Sequence, residues 1–177
     1  MNNKNTLLIF LLSITLSLPV NAQTCNGSVA ATTPADRFTD NNNGTVTDQQ
    51  TNLMWKQCPE GMSSNGANDC IDTRLTFNWQ SALQRVETVN GGSSVLNLGY
   101  NDWRLPNIKE LESIVERQCE DPAINLNIFP RTVTGGYWSS TAYALPGAGA
   151  WQIYFLYGAV TTTGQSGNLS IRLVRDM

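Results

Sequence analysis

At 177 residues and 41% hydrophobic content, the chain is long enough to bury the core of one domain. Its 11 basic and 14 acidic side chains give a net charge of −3 without the clustered Lys and Arg that phosphate neutralisation needs, which argues against nucleic acid as a partner. The sequence has no histidine, and this excludes Ser-His-Asp and Cys-His catalysis and histidine-type zinc sites.

The first 22 residues read as a secretory signal peptide. Lys4 gives a basic start, Leu7 to Leu18 is almost wholly apolar, and Val20-Asn21-Ala22 is a small-residue cleavage pattern. The apolar run is too short to span a bilayer, so cleavage after Ala22 predicts a periplasmic or secreted product with no membrane span. Loss of Lys4 leaves 11 − 1 = 10 basic side chains against 14 acidic ones, a net charge of −4. Residues 23–35 are small and polar and form a lead-in to a single domain over residues 36–177.

Within that domain, Arg37 to Asp40 and Thr45 to Asp48 flank Asn41-Asn42-Asn43-Gly44, a turn signal that predicts a β-hairpin. The same residues do not make a calcium loop, because the acidic ligand an EF-hand needs at position 51 is replaced by Thr51. Leu53-Met54-Trp55 is a short buried run. Four cysteines in an exported chain predict two disulfides. Cys58 and Cys70 bracket a polar, Gly- and Ser-rich loop and are paired locally, which pairs Cys25 with Cys119. Phe77 to Asn90 places Trp79, Ala82, Leu83, Val86 and Val89 on one helical face, with Asn78 or Thr76 as N-cap and Gly91-Gly92 as the stop. Residues 92–99 form a link.

Tyr100 to Cys119 is the best-specified stretch. Asp102 and Arg104 alternate with Trp103 and Leu105 as in a half-buried strand, and Pro106 ends it. Asn107 and Glu110 form a capping box, and Ile108, Leu111, Ile114 and Val115 give the helix an apolar stripe opposite Lys109, Glu112, Glu116 and Arg117. After an irregular loop with Ile124, Leu126, Ile128 and Phe129 tucked inward, strands are predicted at 137–140, 151–157, 160–163 and 169–174. The whole is an α+β arrangement: an N-terminal hairpin, two helices and a C-terminal antiparallel sheet, stapled by disulfides.

Five blocks in order carry a family resemblance: RFTDNNNGTVTDQQTNLMW from Arg37, GYNDWRLPNIKELESIVE from Gly99, YWSST from Tyr137, AWQIYFLYG from Ala150 and IRLVR from Ile171. Together they resemble the Lcl C-terminal domain family, the C-terminal domain of a collagen-like adhesin. The resemblance implies a C-type-lectin-like fold, an extracytoplasmic location and, for the member that names the family, binding of sulfated polysaccharides as a trimer. The present sequence carries no collagen-like stalk. Related lectin-like folds include sulfatase-activating oxidases, which use reactive cysteines.

The late strands hold the candidate ligand-binding residues. Alternation through residues 151–157 puts Trp151, Ile153 and Phe155 toward the core and Gln152, Tyr154 and Leu156 outward. Tyr154, with Tyr143 and Tyr157, offers flat surfaces for stacking on sugar rings, and Gln152 offers paired hydrogen bonds. Arg172, between Ile171 and Leu173, is expected on the wet face, where it would serve an anionic ligand. Ser139, Ser140 and Thr141 have no activating base and are read as strand hydroxyls. Glu112 and Glu116 are read as solvated charge, and Asp102 and Arg104 as architectural. The expectation is a binding domain without catalytic activity, metal or cofactor, whose partner is a polysaccharide or cell-surface glycan. The alternatives are a protein-binding module, a structural envelope protein and a sulfatase-activator-like oxidase.

Overall fold

The computed structural model describes residues 23–144 and 149–177; the signal-peptide expectation falls on residues 1–22 and lies outside the described residues. In chain order the elements are β1 (Thr24–Cys25), a 3-10 turn (Ala35–Arg37), β2 (Phe38–Asp40), β3 (Thr45–Asp48), β4 (Leu53–Lys56), β5 (Ser63–Ser64), β6 (Cys70–Ile71), α1 (Trp79–Asn90), α2 (Ser94–Asn97), α3 (Ile108–Ser113), β7 (Cys119–Glu120), β8 (Gly136–Tyr143), β9 (Gly149–Tyr154), β10 (Ala159–Gly164) and β11 (Val174–Asp176). This is the expected α+β arrangement. One antiparallel sheet has the order β11-β4-β3-β2 and a second the order β10-β9-β8, while β1 pairs with β7 and β5 with β6.

The hairpin forms where the asparagines sit. Asp40 Oδ1 accepts from the Asn42 N–H at 2.8 Å and Asn43 Oδ1 from the Thr45 N–H at 3.1 Å, so the turn satisfies its own donors. Asn42 and Gly44 take left-handed conformations, φ 56° and 84°. Register then pairs Thr39 with Thr47 and Val46 with Trp55.

Successive residues of β4 feed two different apolar clusters. Leu53 and Trp55 belong to one, with Leu111, Ile114, Val115, Phe129 and Phe155; Met54 belongs to the other, with Ala82, Val89, Trp103 and Leu173. Because side chains alternate across a strand, the four-stranded sheet lies between the clusters, with α3 on one face and α1 on the other. Tyr137 and Trp138 divide in the same way. The helix caps are as predicted. Asn78 Oδ1 accepts from the Ser81 N–H, and Asn107 and Glu110 complete a reciprocal capping box.

Tertiary partners shorten three expected elements. The second helix stops at Ser113, because the Val115 carbonyl accepts from the Thr32 hydroxyl and the Glu116 N–H donates to the Ala123 carbonyl. Residues 102–105 make a single bridge, Arg104 to Val174, although Trp103 and Leu105 are buried as the alternation requires. The expected last strand is displaced to Val174–Asp176. Its earlier residues bond in turn to Phe77, Gly136, Glu60 and Lys56 and never keep one neighbouring strand. Both predicted disulfides are present, Cys25–Cys119 and Cys58–Cys70. The link after α1 contains the short helix α2, and β1–β7 and β5–β6 are further pairs that composition did not signal.

Candidate functional site

The late-strand candidates fall into separate places. Tyr154 ends β9 and Tyr157 follows in the β9–β10 turn, 38% and 64% exposed. Gly158 completes that turn at φ 67°, and a Cβ there would collide with the Val115 side chain. Tyr143 pairs with Gly149 at the opposite end of β9, five residues from Tyr154 and thus about 17 Å away. Its ring stands edge-on to Trp151, with centroids 5.4 Å apart. Tyr154 and Tyr157 therefore share one end of the sheet and Tyr143 is apart from them. Ile153 and Phe155 are buried as expected, while Trp151 is only half-buried.

Two candidates are corrected. Gln152 is buried, not outward: Gly136 on the neighbouring strand β8 has no side chain, and the Gln152 amide lies against it. Gln152 Nε2 donates to Thr163 Oγ1 at 2.8 Å, and its Oε1 has no partner among the described residues. Arg172 is not on a wet face but fully buried, 0% exposed. Its segment is covered on both sides, so alternation cannot separate an inner from an outer face. Arg172 Nη1 donates to the Lys56 carbonyl at 2.9 Å and to that of Gln57, Nη2 donates to Thr132 Oγ1 at 2.7 Å, and the guanidinium lies 4.8 Å from the Phe129 ring centroid. Burial pushes its pKa down to about 10, and it stays cationic at neutral pH.

The other polar candidates have structural partners. Ser139 Oγ donates to the Trp151 carbonyl at 2.7 Å, Ser140 Oγ to that of Pro106, and Thr141 Oγ1 accepts from the Ile108 N–H at 3.0 Å. Asp102 and Arg104 do not pair with each other. Asp102 accepts two bonds from Arg175, which hold its carboxyl below the ordinary value, and Arg104 takes Glu110 in a two-pronged contact and Asp176 beside it. Glu112 joins Lys109 and Arg117. Glu116 is a correction: it is 3% exposed rather than solvated, and it accepts backbone N–H groups of the lead-in.

Tyr157 stands on the edge of a shallow concavity of about 340 Å³. Its other walls include Asn26, Val29, Arg117, Gln118 and Glu120. The Cys25–Cys119 bridge sets this geometry, because it joins directly paired residues of β1 and β7 and so lays the lead-in beside residues 117–120. Asn26 N–H then donates to the Gln118 carbonyl at 2.8 Å. Arg117 spans the gap to the turn, with Nη1 donating to the Gly158 carbonyl at 2.8 Å and Nη2 to Glu112 at 3.0 Å. An aromatic face, two amides, a guanidinium and a carboxylate are thus gathered around one open depression. Asn26, Gln118 and Glu120 were not legible as site residues individually. The only signal was the cysteine pairing, which places residues 24–26 next to 117–120.

Fold and surface together define a disulfide-stapled α+β domain with an aromatic, amide-lined depression open to solvent, the form of a binding module. Residues 44–175 match the family model of the Lcl C-terminal domain, and the chain belongs to that family. Membership points to an adhesin-like binding domain. No curated protein matches the chain.

Proposed function

We propose that this is an extracytoplasmic, non-catalytic domain of C-type-lectin-like fold that binds glycans at the Tyr157 depression. The observation that carries the reading is the exposed Tyr157 ring beside the amides of Asn26 and Gln118 and the charged ends of Arg117 and Glu120. An amphipathic ring stacks on the apolar face of a sugar, and planar amides and charged groups take its hydroxyls. The family's adhesin character and the two disulfides, which suit an oxidising compartment, support it. With all four cysteines in disulfides, no thiol is free for oxidase chemistry of the sulfatase-activating kind. Among the described residues no helix is long and apolar enough to cross a membrane.

A glycan array probed with the oxidised protein tests the reading, with Tyr157→Ala and Tyr143→Ala run beside it. Saturable binding that falls at least about tenfold in Tyr157→Ala, about 1.4 kcal/mol, and is unchanged in Tyr143→Ala is expected. A blank array across neutral and sulfated glycans, or equal loss in both variants, would remove glycans as the ligand of this depression.

A further inference from the structure

A second cleft lies between the β2–β3 turn, the Cys58–Cys70 loop and α2. We propose that it binds a small amphipathic anion, a carboxylate with an apolar tail, whose head lies at Arg85 and Lys56 and whose tail lies along Leu75, Leu96 and Val95. The cleft encloses about 410 Å³, within the roughly 300–1,000 Å³ of small-molecule sites. It shares no residue with the Tyr157 depression.

The charged end is built from three side chains. Glu60, buried, accepts from Lys56 Nζ at 3.2 Å and from Arg85 Nε and Nη2 at 3.0 and 2.8 Å. Two cations against one carboxylate leave one net positive charge at the cleft floor, in a chain whose net charge is −3. Arg85 carries the surplus to the cleft surface, because its side chain is 21% exposed while Lys56 and Glu60 are buried. Of the five guanidinium N–H groups of Arg85, two are used on Glu60, and the rest have no acceptor among the described residues. Lys56 is fixed rather than free: Nζ donates to the Leu96 carbonyl at 2.7 Å and lies 5.8 Å from the Trp103 ring centroid. Burial pulls the Lys56 pKa down, Glu60 opposes the fall and Arg85 adds to it. An anion seated beside the two cations would oppose the Arg85 repulsion, as Glu60 does.

The apolar side of the cleft combines Leu96 and Leu98, which also pack against the second apolar cluster, with two aliphatic side chains that the core does not cover. Val95 is 79% exposed and Leu75 is also open to solvent, yet both line the cleft with Leu96 and Leu98. Leu98 is held in the left-handed region at φ 55°, a conformation that a leucine rarely takes, and its methyl groups face Gly44. Surplus positive charge on the floor and exposed aliphatic side chains on the rim are complementary to a carboxylate head and an alkyl tail. A neutral amphiphile satisfies only the rim, and an inorganic anion only the floor.

Titration of the oxidised protein with sodium decanoate, followed by calorimetry and by Trp emission, tests this, with decanol and sodium sulfate as controls. Saturable binding of one decanoate per chain is expected, with decanol and sulfate at least tenfold weaker. Arg85→Gln, which leaves Glu60 its Lys56 partner, should weaken decanoate at least tenfold. Val95→Asp, at a position too exposed to disturb folding, should do the same. Absence of saturable decanoate binding, decanol or sulfate binding as tightly, or decanoate affinity unchanged in Val95→Asp or in a folded Arg85→Gln would each overturn the proposal. If Arg85→Gln melts early, Val95→Asp alone decides. None of these outcomes bears on glycan binding at Tyr157.

Discussion

The Glu116 carboxylate holds both N–H groups of Thr32 and Thr33: Oε1 accepts from Thr32 N at 2.9 Å and Oε2 from Thr33 N at 2.8 Å. The Thr33 hydroxyl donates to Oε2 as well, at 2.8 Å, and the Gln118 N–H to Oε1 at 2.9 Å. Thr32 Oγ1 answers by donating to the Val115 carbonyl and accepting from the Arg117 N–H. One buried carboxylate therefore fastens the lead-in to the segment after α3, and with it the wall of the Tyr157 depression.

Removal of this carboxylate should be costly and its titration visible. Burial by itself raises the Glu116 pKa, but the N–H groups of Gln118, Thr32 and Thr33 and the Thr33 hydroxyl outweigh it and hold the carboxyl below its ordinary 4.5. A folded-state pKa below the unfolded one means that the stabilisation is present above about pH 4.5 and is lost as pH falls through the folded value. Glu116→Ala should cost about 2–3 kcal/mol in urea melts at pH 7, since buried donors lose a charged acceptor. Glu116→Gln should flatten part of the decline in stability below pH 4.5, and amide exchange at Thr32 and Thr33 should speed up in both variants. A cost under about 0.5 kcal/mol with unchanged exchange would show that the lead-in is held by other contacts.

Arg172 makes a second internal tie, between the 56–57 backbone and Thr132. Arg172→Met keeps the packing over Phe129 but leaves two carbonyls and a hydroxyl without their donor, so a loss of about 3 kcal/mol is expected. Arg172→Lys should recover little of it, because an ammonium cannot reproduce the planar fork that reaches both sides. Glycan binding by folded Arg172→Lys should match the parent, as the side chain touches none of the residues around Tyr157. Full stability in Arg172→Met would mean that these hydrogen bonds contribute nothing net.

Local signals were the legible part of this chain. The asparagine-rich turn, the Asn78 cap, the Asn107–Glu110 box and the two cysteine pairings each involve residues whose preference is set by their own backbone or by few alternatives, and each is realised. Alternation failed where a segment is covered on both sides. Arg172, under the 129–132 segment, read as outward because a period of two assumes one wet face, whereas Gln152 shares a face with the exposed Tyr154 and is covered only locally, against Gly136 and Thr163. Glu116 failed differently. Helical spacing placed it on an exposed face, but Thr32, 84 residues away in sequence, ends the helix before that face exists. The depression around Tyr157 was half legible for the same reason, since Asn26 and Gln118 meet only through long-range pairing.

The two disulfides should differ in cost, and only one should couple to Glu116. Cys58–Cys70 closes a separation of 12 residues and Cys25–Cys119 one of 94; chain entropy assigns about 3 and about 4–5 kcal/mol to them. Replacement of each pair by serine, followed by denaturant melts, measures this directly. The long bridge and the Glu116 carboxylate hold the same lead-in, so once one is gone the other restrains a segment already partly loosened. Loss of the long bridge together with Glu116→Ala should therefore depart from additivity by more than about 0.5 kcal/mol, whereas loss of the Cys58–Cys70 bridge with Glu116→Ala should add within that margin. Additivity in both double variants would mean that the bridge and the Glu116 carboxylate anchor residues 23–33 at independent points.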